Sequence, residues 1–498
     1  MRKLSTIAAL LATFMWSGVS AAGVQVDWVQ PTRGNSLAVD ADDNVYTVDY
    51  EYNPAGDIYL TKRDAMGAFL WTEKFDQTEN TVWERASWVA TDGLGNAIVC
   101  GTLMSGYSNP VTAASILMKF APDGQLLWRR VYEGSFDGSF TKKCLVDEGD
   151  NIYVLGMGSG EAGFVTKVKK FGPDGTALWS YFDAAGIGAP INFKFSADGG
   201  IVIAARALFG SINGYAKIDR DGNHIWSHPG VQSLTAGDAA GDIDGNTYLV
   251  HGDYPNNGGS VIRKISPTGS LLWSSVYSLV AYRVEVGSDQ QPVICGFPNS
   301  GSGGAAFLKA DPNGGVVWSN FDADGPLALL LHAQLLVDRN DNIYLAAGTL
   351  FEMAVCQVAS NGASAWTALT SGSYAQGIAL GRHGDVYVVG GSTAKLVEVT
   401  AADAPEPASS RATGILAQSY PNPCGDQATI RYQLPQASEA TLTLYDASGR
   451  ELRTFASGLV GMGEQSVRLD TRDLSAGVYL YQLRHGSEVE RRVLTIVR

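Results

Sequence analysis

Two segments decide the fold: Val146-Asp147-Glu148-Gly149-Asp150-Asn151-Ile152-Tyr153, and further on Asp174-Gly175-Thr176-Ala177-Leu178-Trp179. In the first, an apolar strand enters an Asp/Asn/Gly turn and leaves through a β-branched and aromatic strand. The turn residues tolerate positive φ and the flanks favour the pleat, so the segment reads as a hairpin. In the second, a turn is followed by an apolar pair and Trp. Both signatures recur. The hairpin returns as Val39–Tyr46 and Val337–Tyr344, and near Ile98, Val202, Tyr248, Val293 and Tyr387. The Trp signature falls at Trp71, Trp128, Trp179, Trp226, Trp273, Trp318 and Trp366, in steps of 57, 51, 47, 47, 45 and 48. A period near 48 is that of a four-stranded propeller blade rather than of a helical solenoid. A third strand, such as Ile116–Phe120, leads into each Trp hairpin, which makes four strands per unit.

The hairpin signature occurs eight times and the Trp signature seven times after it. The eighth unit runs through Lys395-Leu396-Val397-Glu398-Val399 and stops. Its missing strand stands at the other end of the repeat region, as Val26-Asp27-Trp28-Val29, with Trp28 43 residues before Trp71. Residues 24–30 are therefore expected to complete the last blade and close a ring, leaving no edge strand unpaired. The count is eight blades, or seven if the units around Val202 or Val293 are misread. The hairpins resemble the β-propeller repeats of exported bacterial proteins, the seven-bladed and quinoprotein-like group, over roughly residues 26–400. The resemblance implies architecture and leaves activity open. No cofactor or metal ligands like those of the quinone-dependent dehydrogenases are identified in the sequence, and none are expected.

At the N-terminus, Arg2 and Lys3 precede an apolar run from Ile7 to Trp16, and small residues around Ala21 follow. Residues 1–22 read as a signal peptide, too short to span a bilayer. No later apolar run reaches the length of a transmembrane helix. The propeller is assigned to 23–400, a Pro/Ala/Ser linker to 401–412, and a second domain to 413–498. There the period ends and alternating runs such as Thr429–Leu434, Thr441–Tyr445 and Val478–Leu483 begin. They read as a small immunoglobulin-like β-sandwich.

This second domain resembles the type A sorting domain of the bacterial type IX secretion system. The residues carrying the resemblance are Ser419-Tyr420-Pro421-Asn422-Pro423, Thr429–Pro435, Leu444–Glu451 with Gly449, Leu474–Tyr481 with Gly477 and Tyr479, and the closing Arg491-Arg492. Cys424 stands where the family usually has Phe. The resemblance implies the type IX machinery as partner, passage across the outer membrane, removal of the domain, and a secreted or cell-surface product.

The formal charge is −14, and Arg2 and Lys3 lie in the leader. Residues 413–498 hold nine Arg, no Lys and nine acidic residues, so a charge of −16 rests wholly on 23–412. An acidic body argues against nucleic acid and anionic lipid as partners and fits a soluble monomer. The Asp/Asn turns mimic a calcium loop at Asp40, Asp42 and Asn44, but Val45 stands where that loop requires Gly. The five Cys are dispersed, odd in number and without C-x-x-C, so they read as buried thiols. No H-E-x-x-H or G-x-S-x-G motif occurs.

The recurring Trp positions read as packing between blades. Trp83 and Trp88 do not recur. They flank Arg85 in a long stretch, Thr72–Trp88, placed before the second blade's first strand. With Tyr107 they form the candidate ligand site, and Phe136 and Tyr254 are expected on the same variable face. A non-catalytic protein binding an extracellular glycan or polymer is the favoured reading. Its rivals are an exported hydrolase or lyase acting on polysaccharide or peptide, and a passive surface protein.

Overall fold

The fold is taken from a computed structural model. It describes residues 24–398 and 415–496 apart from short breaks. In the first part the breaks are 51–55, 77–81, 106–112, 133–139, 161–162, 207–211, 233–236, 253–258, 299–303, 323–333 and 349–351. In the second they are 417–423, 425–426, 435–437, 447–449, 461–462, 476 and 486–487. The expected signal peptide, the linker, Tyr420 to Pro423, Gly449, Tyr107, Phe136 and Tyr254 thus lie outside the described residues. The chain divides into two units, Met1–Val399 and Thr400–Arg498.

Every regular element described is a strand. In the first unit the described residues form eight four-stranded antiparallel sheets, the arrangement of a β-propeller. Seven are built from four consecutive strands. The eighth takes Gly377–Leu380, Val386–Val389 and Thr393–Glu398 and adds Val24–Gln30 as its outer strand. The second strands are buried along their length, for example Thr247–Gly252 and Ile343–Gly348. Each is covered on both faces, which is why these strands read as continuous apolar runs rather than alternating ones. Apolar clusters join each sheet to the next. The series includes Val24 and Leu396 of the eighth sheet against Tyr344 and Val355 of the seventh. It also includes Tyr387 and Val389 of the eighth against Leu37 and Val45 of the first.

The repeated residues form one unit of packing. Each outer-strand Trp pairs in register with a third-strand residue: Trp71 with Lys62, Trp128 with Lys119, Trp273 with Lys264 and, across the chain termini, Trp28 with Lys395. In five of the sheets the indole Nε1 and the lysine Nζ reach one carbonyl in the next sheet's turn. Trp71 and Lys62 both donate to Pro122 O, Trp128 and Lys119 to Pro173 O, and Trp28 and Lys395 to Ala65 O. The turn glycine then lies flat on that indole. A Cβ on Gly67, at φ +79°, would sit 2.7 Å from Trp28. Trp28 therefore does for the eighth sheet what Trp71, Trp128, Trp179 and Trp273 do for theirs. Where the chain is cut, the unit changes: Gln357 replaces the lysine, and both it and Trp366 donate to Glu398 Oε1, at 2.6 and 3.4 Å.

The acid-rich turns bind their own backbone. Asp40 Oδ1 accepts from the N–H of Asp42 and Asn44, and Asn44 Nδ2 donates to both its oxygens. Asp92/Asn96, Asp147/Asn151 and Asp338/Asn342 repeat this pattern. These carboxylates thus cap turns. Asp43, Asp150 and Asp341 hold φ near +60°. Each also accepts a backbone N–H from the preceding sheet: Arg382, Gly93 and Ser288 respectively. That bond explains a carboxylate where glycine would be less strained.

The second unit contains a three-stranded and a four-stranded sheet over one apolar core. Cys424 is 1% exposed within that core and makes a parallel bridge to Ile496. A small hydrophobe is thus accommodated at the position where the family usually carries Phe.

Candidate functional site

The site is built by the first strands of the eight sheets. Pairing with the second strands identifies one equivalent position in each. These are Ser36 opposite Val48, Trp88 opposite Cys100, Lys143 opposite Leu155 and Asn192 opposite Ala204. The others are Asp238 opposite Val250, Arg283 opposite Cys295, Gln334 opposite Ala346 and Gly377 opposite Val389. No residue type repeats among them, whereas the outer positions repeat Trp, Lys, Tyr and Gly. Trp88, Lys143, Asn192 and Arg283 each follow a one-residue bulge. A bulge re-aims the side chain after it. Six of these positions line one cavity of about 200 Å³, with Lys194, Glu285, Leu145 and Phe195 among its other walls.

Its charges are organised around Lys194. Lys194 Nζ lies 2.7 Å from Asp238 Oδ2 and 2.8 Å from Glu285 Oε1, and donates to Val284 O. Asn192 Nδ2 and the Val284 N–H donate to the Asp238 carboxylate. Burial opposes the charge on Asp238, but Lys194, Arg283 and these hydrogen bonds outweigh it and hold the carboxyl below its ordinary range. Burial likewise opposes the charge on Lys194, and its two acid partners raise it. Glu285 goes the other way: burial, with Asp238 adding to it, raises its pKa.

Lys143 is held differently. Its Nζ donates to Asn192 Oδ1 at 3.0 Å and to Phe193 O at 3.3 Å, and stands 5.0 Å from the centre of the Trp88 ring. Among the described residues no carboxylate forms an ion pair with it. Burial, then repulsion from Lys194, lowers its pKa from 10.5 to about 8, against the pull of Glu285 and Asp238. Lys143, Lys194 and Arg283 face two carboxylates, so the cavity carries a positive surplus within an acidic body.

A group placed this way opposes folding. Lys143→Met is expected to raise stability at pH 7 by about 1–2 kcal/mol, since the half-buried side chain keeps part of its hydration. The sign follows from linkage. The unfolded lysine holds its proton to about pH 10.5 and the folded one to about pH 8, so the penalty is complete below pH 8. It fades as pH rises from 8 towards 10.5. Denaturant melts at several pH values check this; a less stable variant at pH 7 would contradict it.

Trp83, Arg85 and Trp88 lie within the second sheet's first strand, Val82–Thr91, and not in a stretch before it. The β-forming Val82, Trp83 and Val89 continue the strand through the bulge. Trp83 pairs with Met104, and its side chain is outside the described residues. Arg85 is exposed, with its guanidinium 5.0 Å from the centre of the Tyr50 ring. Trp88 alone of the three lines the cavity. Lys143, Asn192, Asp238 and Arg283 were not singled out from sequence. Comparing the first strands of the eight repeats could have found them, but the bulges displace the equivalent position by one residue in four of them.

In the second unit, Gly477 pairs with Ile496, Arg491 with Gln482 and Arg492 with Tyr481. Arg492 is exposed. Tyr479 is buried and its hydroxyl donates to Ser475 O at 2.8 Å.

Residues 418–496 match the family described as the secretion system C-terminal sorting domain. The C-terminal unit is thus a type IX sorting domain, which marks the chain for export to the cell surface or the medium and for contact with the type IX machinery. No curated protein matches the sequence. Among solved structures, the Dos1 propeller is similar at 9% identity, with 76% of this chain and 95% of that one covered and a TM-score of 0.49. PorZ, a surface component of the type IX secretion system of Porphyromonas gingivalis, is similar at 12% identity. There 92% of this chain and 74% of that one are covered, with a TM-score of 0.32.

Proposed function

We propose that the protein is an exported, non-catalytic binding protein that recognises an extracellular glycan in the cavity at the axis of a closed, eight-bladed propeller. The observation that carries this reading is the set of eight register-equivalent positions, Ser36 to Gly377. A scaffold keeps regular what only folds and varies what recognises. Here the equivalent first-strand position carries a different residue in every sheet. Trp88 supplies an aromatic wall, and Asn192, Gln334 and Arg283 supply groups able to meet sugar hydroxyls. Trp83 and Arg85, in the same strand as Trp88, and Tyr107 would extend the contact. Closure is supported by the shared Ala65 carbonyl and by the clusters on both faces of the eighth sheet.

The domain limits are 1–22 for the signal peptide, 23–400 for the propeller, 401–412 for the linker and 413–498 for the immunoglobulin-like sorting domain. The mature protein is a monomer. A glycan array with the exported protein, beside Trp88→Ala, tests the binding. Glycan capture lost in the variant without turnover supports it, and turnover of polysaccharide or peptide would move the reading to an enzyme. Export predicts loss of residues 1–22 and of the module after about residue 412. Mass spectrometry of medium and outer-membrane fractions checks this; full-length chain confined to the cytoplasm would contradict it.

A further inference from the structure

We propose, resting on the reading that the propeller binds a glycan in its axial cavity, that the ligand is a single carboxylate-bearing sugar ring of the hexuronate type, its carboxylate held by the Lys143 ammonium. Three features of the cavity lead to this. The first is size. About 200 Å³ lies below the range of pockets that enclose drug-sized ligands and suits one small ring. The second is charge. Lys143, Lys194 and Arg283 oppose Asp238 and Glu285, a formal surplus of one positive charge. A monoanion balances it, and a phosphate dianion overshoots. The third is the division of labour between the two lysines. Lys194 is spent on Asp238 and Glu285. Among the described residues Lys143 meets only neutral partners, Asn192 Oδ1, Phe193 O and the Trp88 ring. An ammonium has three donors, so one remains beyond these two bonds. A charge-assisted bond from it to a carboxylate is stronger than either neutral one.

Each charged group facing Lys143 takes part in the consequence. Lys194 and Arg283 repel its proton, and Glu285 and Asp238 retain it only in part, so the free amine titrates near pH 8. A bound carboxylate favours the ammonium. Binding therefore takes up a proton above that pH, and affinity falls as the solution becomes alkaline.

Calorimetry on the exported protein tests this, with glucuronate and galacturonate against glucose and galactose, acetate, and a short oligohexuronate. At pH 7 a hexuronate should bind about tenfold or more tightly than its neutral counterpart. The preference should shrink near about pH 9.5, where Lys143 is neutral. Lys143→Gln, which keeps polar contacts, should abolish the preference and its pH dependence. Tighter binding of the oligomer would assign the end of a polymer and equal binding a free sugar, and both support the proposal. Neutral sugars binding as tightly as hexuronates, or a preference unchanged in Lys143→Gln, overturn the proposal and leave the glycan reading intact. Acetate binding as tightly as a hexuronate overturns the sugar ring. Folded protein that binds no sugar, acidic or neutral, overturns both readings together.

Discussion

Removing Val24–Gln30 is expected to destabilise the whole propeller. The strand is the outer member of the eighth sheet, paired with Thr393–Glu398 from Val24 opposite Glu398 to Gln30 opposite Thr393. Without it that edge is unpaired, and Val24, 4% exposed, leaves the core between the seventh and eighth sheets. Trp28 takes with it the bond to Ala65 O and the flat contact on Gly67. Trp28→Ala alone should cost about 3–5 kcal/mol, as for other large packed aromatics. That is a large part of a typical net stability of roughly 5–15 kcal/mol. The deletion should lower the melting temperature by roughly 10 °C. The loss should appear as one transition over the first unit, because each sheet leans on the next. Adding the Val24–Gln30 peptide should restore part of it. A deletion that melts with the parent would mean that the eighth sheet stands without its borrowed strand.

The repeat was legible because its chemistry is local. A turn needs Asp, Asn or Gly, and an indole seated on the next sheet's turn needs that turn to present glycine, as Gly67 does to Trp28. The missing eighth Trp pointed to Trp28 because the same unit had to be completed somewhere. The apolar pair before each Trp misleads. Leu126 and Leu127 are apolar, yet they are 44% and 47% exposed. The register slips by one residue there, as Phe120 pairs with Leu126 and Lys119 with Trp128. The bulge turns Leu127 outward and leaves Trp128 against the next sheet. The cavity was hidden for the opposite reason. Its lining residues come from seven of the eight sheets, so Lys143 and Arg283 are far apart in the chain and neither belongs to a motif. Only the registers of Lys143 opposite Leu155 and Arg283 opposite Cys295 make them equivalent. Trp88 was singled out because it broke the Trp period, but nothing local tied it to Lys143.

Lys119→Met should be among the most damaging single changes outside the cavity. Lys119 Nζ lies 2.7 Å from Asp92 Oδ2, with side chains only 7% and 0% exposed, and it donates to Pro173 O in the third sheet. Removing the ammonium leaves the Asp92 charge buried with only the bonds of its own turn, from Leu94 N, Asn96 N and Asn96 Nδ2. Breaking such a pair costs about 3–5 kcal/mol, whereas replacing both partners by neutral groups is far milder. Lys119→Met with Asp92→Asn should therefore recover much of the loss. An exposed pair sets the contrast: Arg472 and Asp470, 66% and 45% exposed, should contribute little, because solvent screens it. Acidity adds a second readout. Burial works to raise the Asp92 pKa, but Lys119 and Asn96 outweigh it and hold the carboxyl below its ordinary value. The stability it contributes is complete above the ordinary carboxylate range and is lost as pH falls through the folded pKa. Without Lys119 the carboxyl rises, so the variant should begin to unfold at higher pH than the parent. Urea melts at pH 7 and an acid titration of both proteins decide the matter. A single variant within about 0.5 kcal/mol of the parent, with the same acid midpoint, would place this ion pair with the surface pairs.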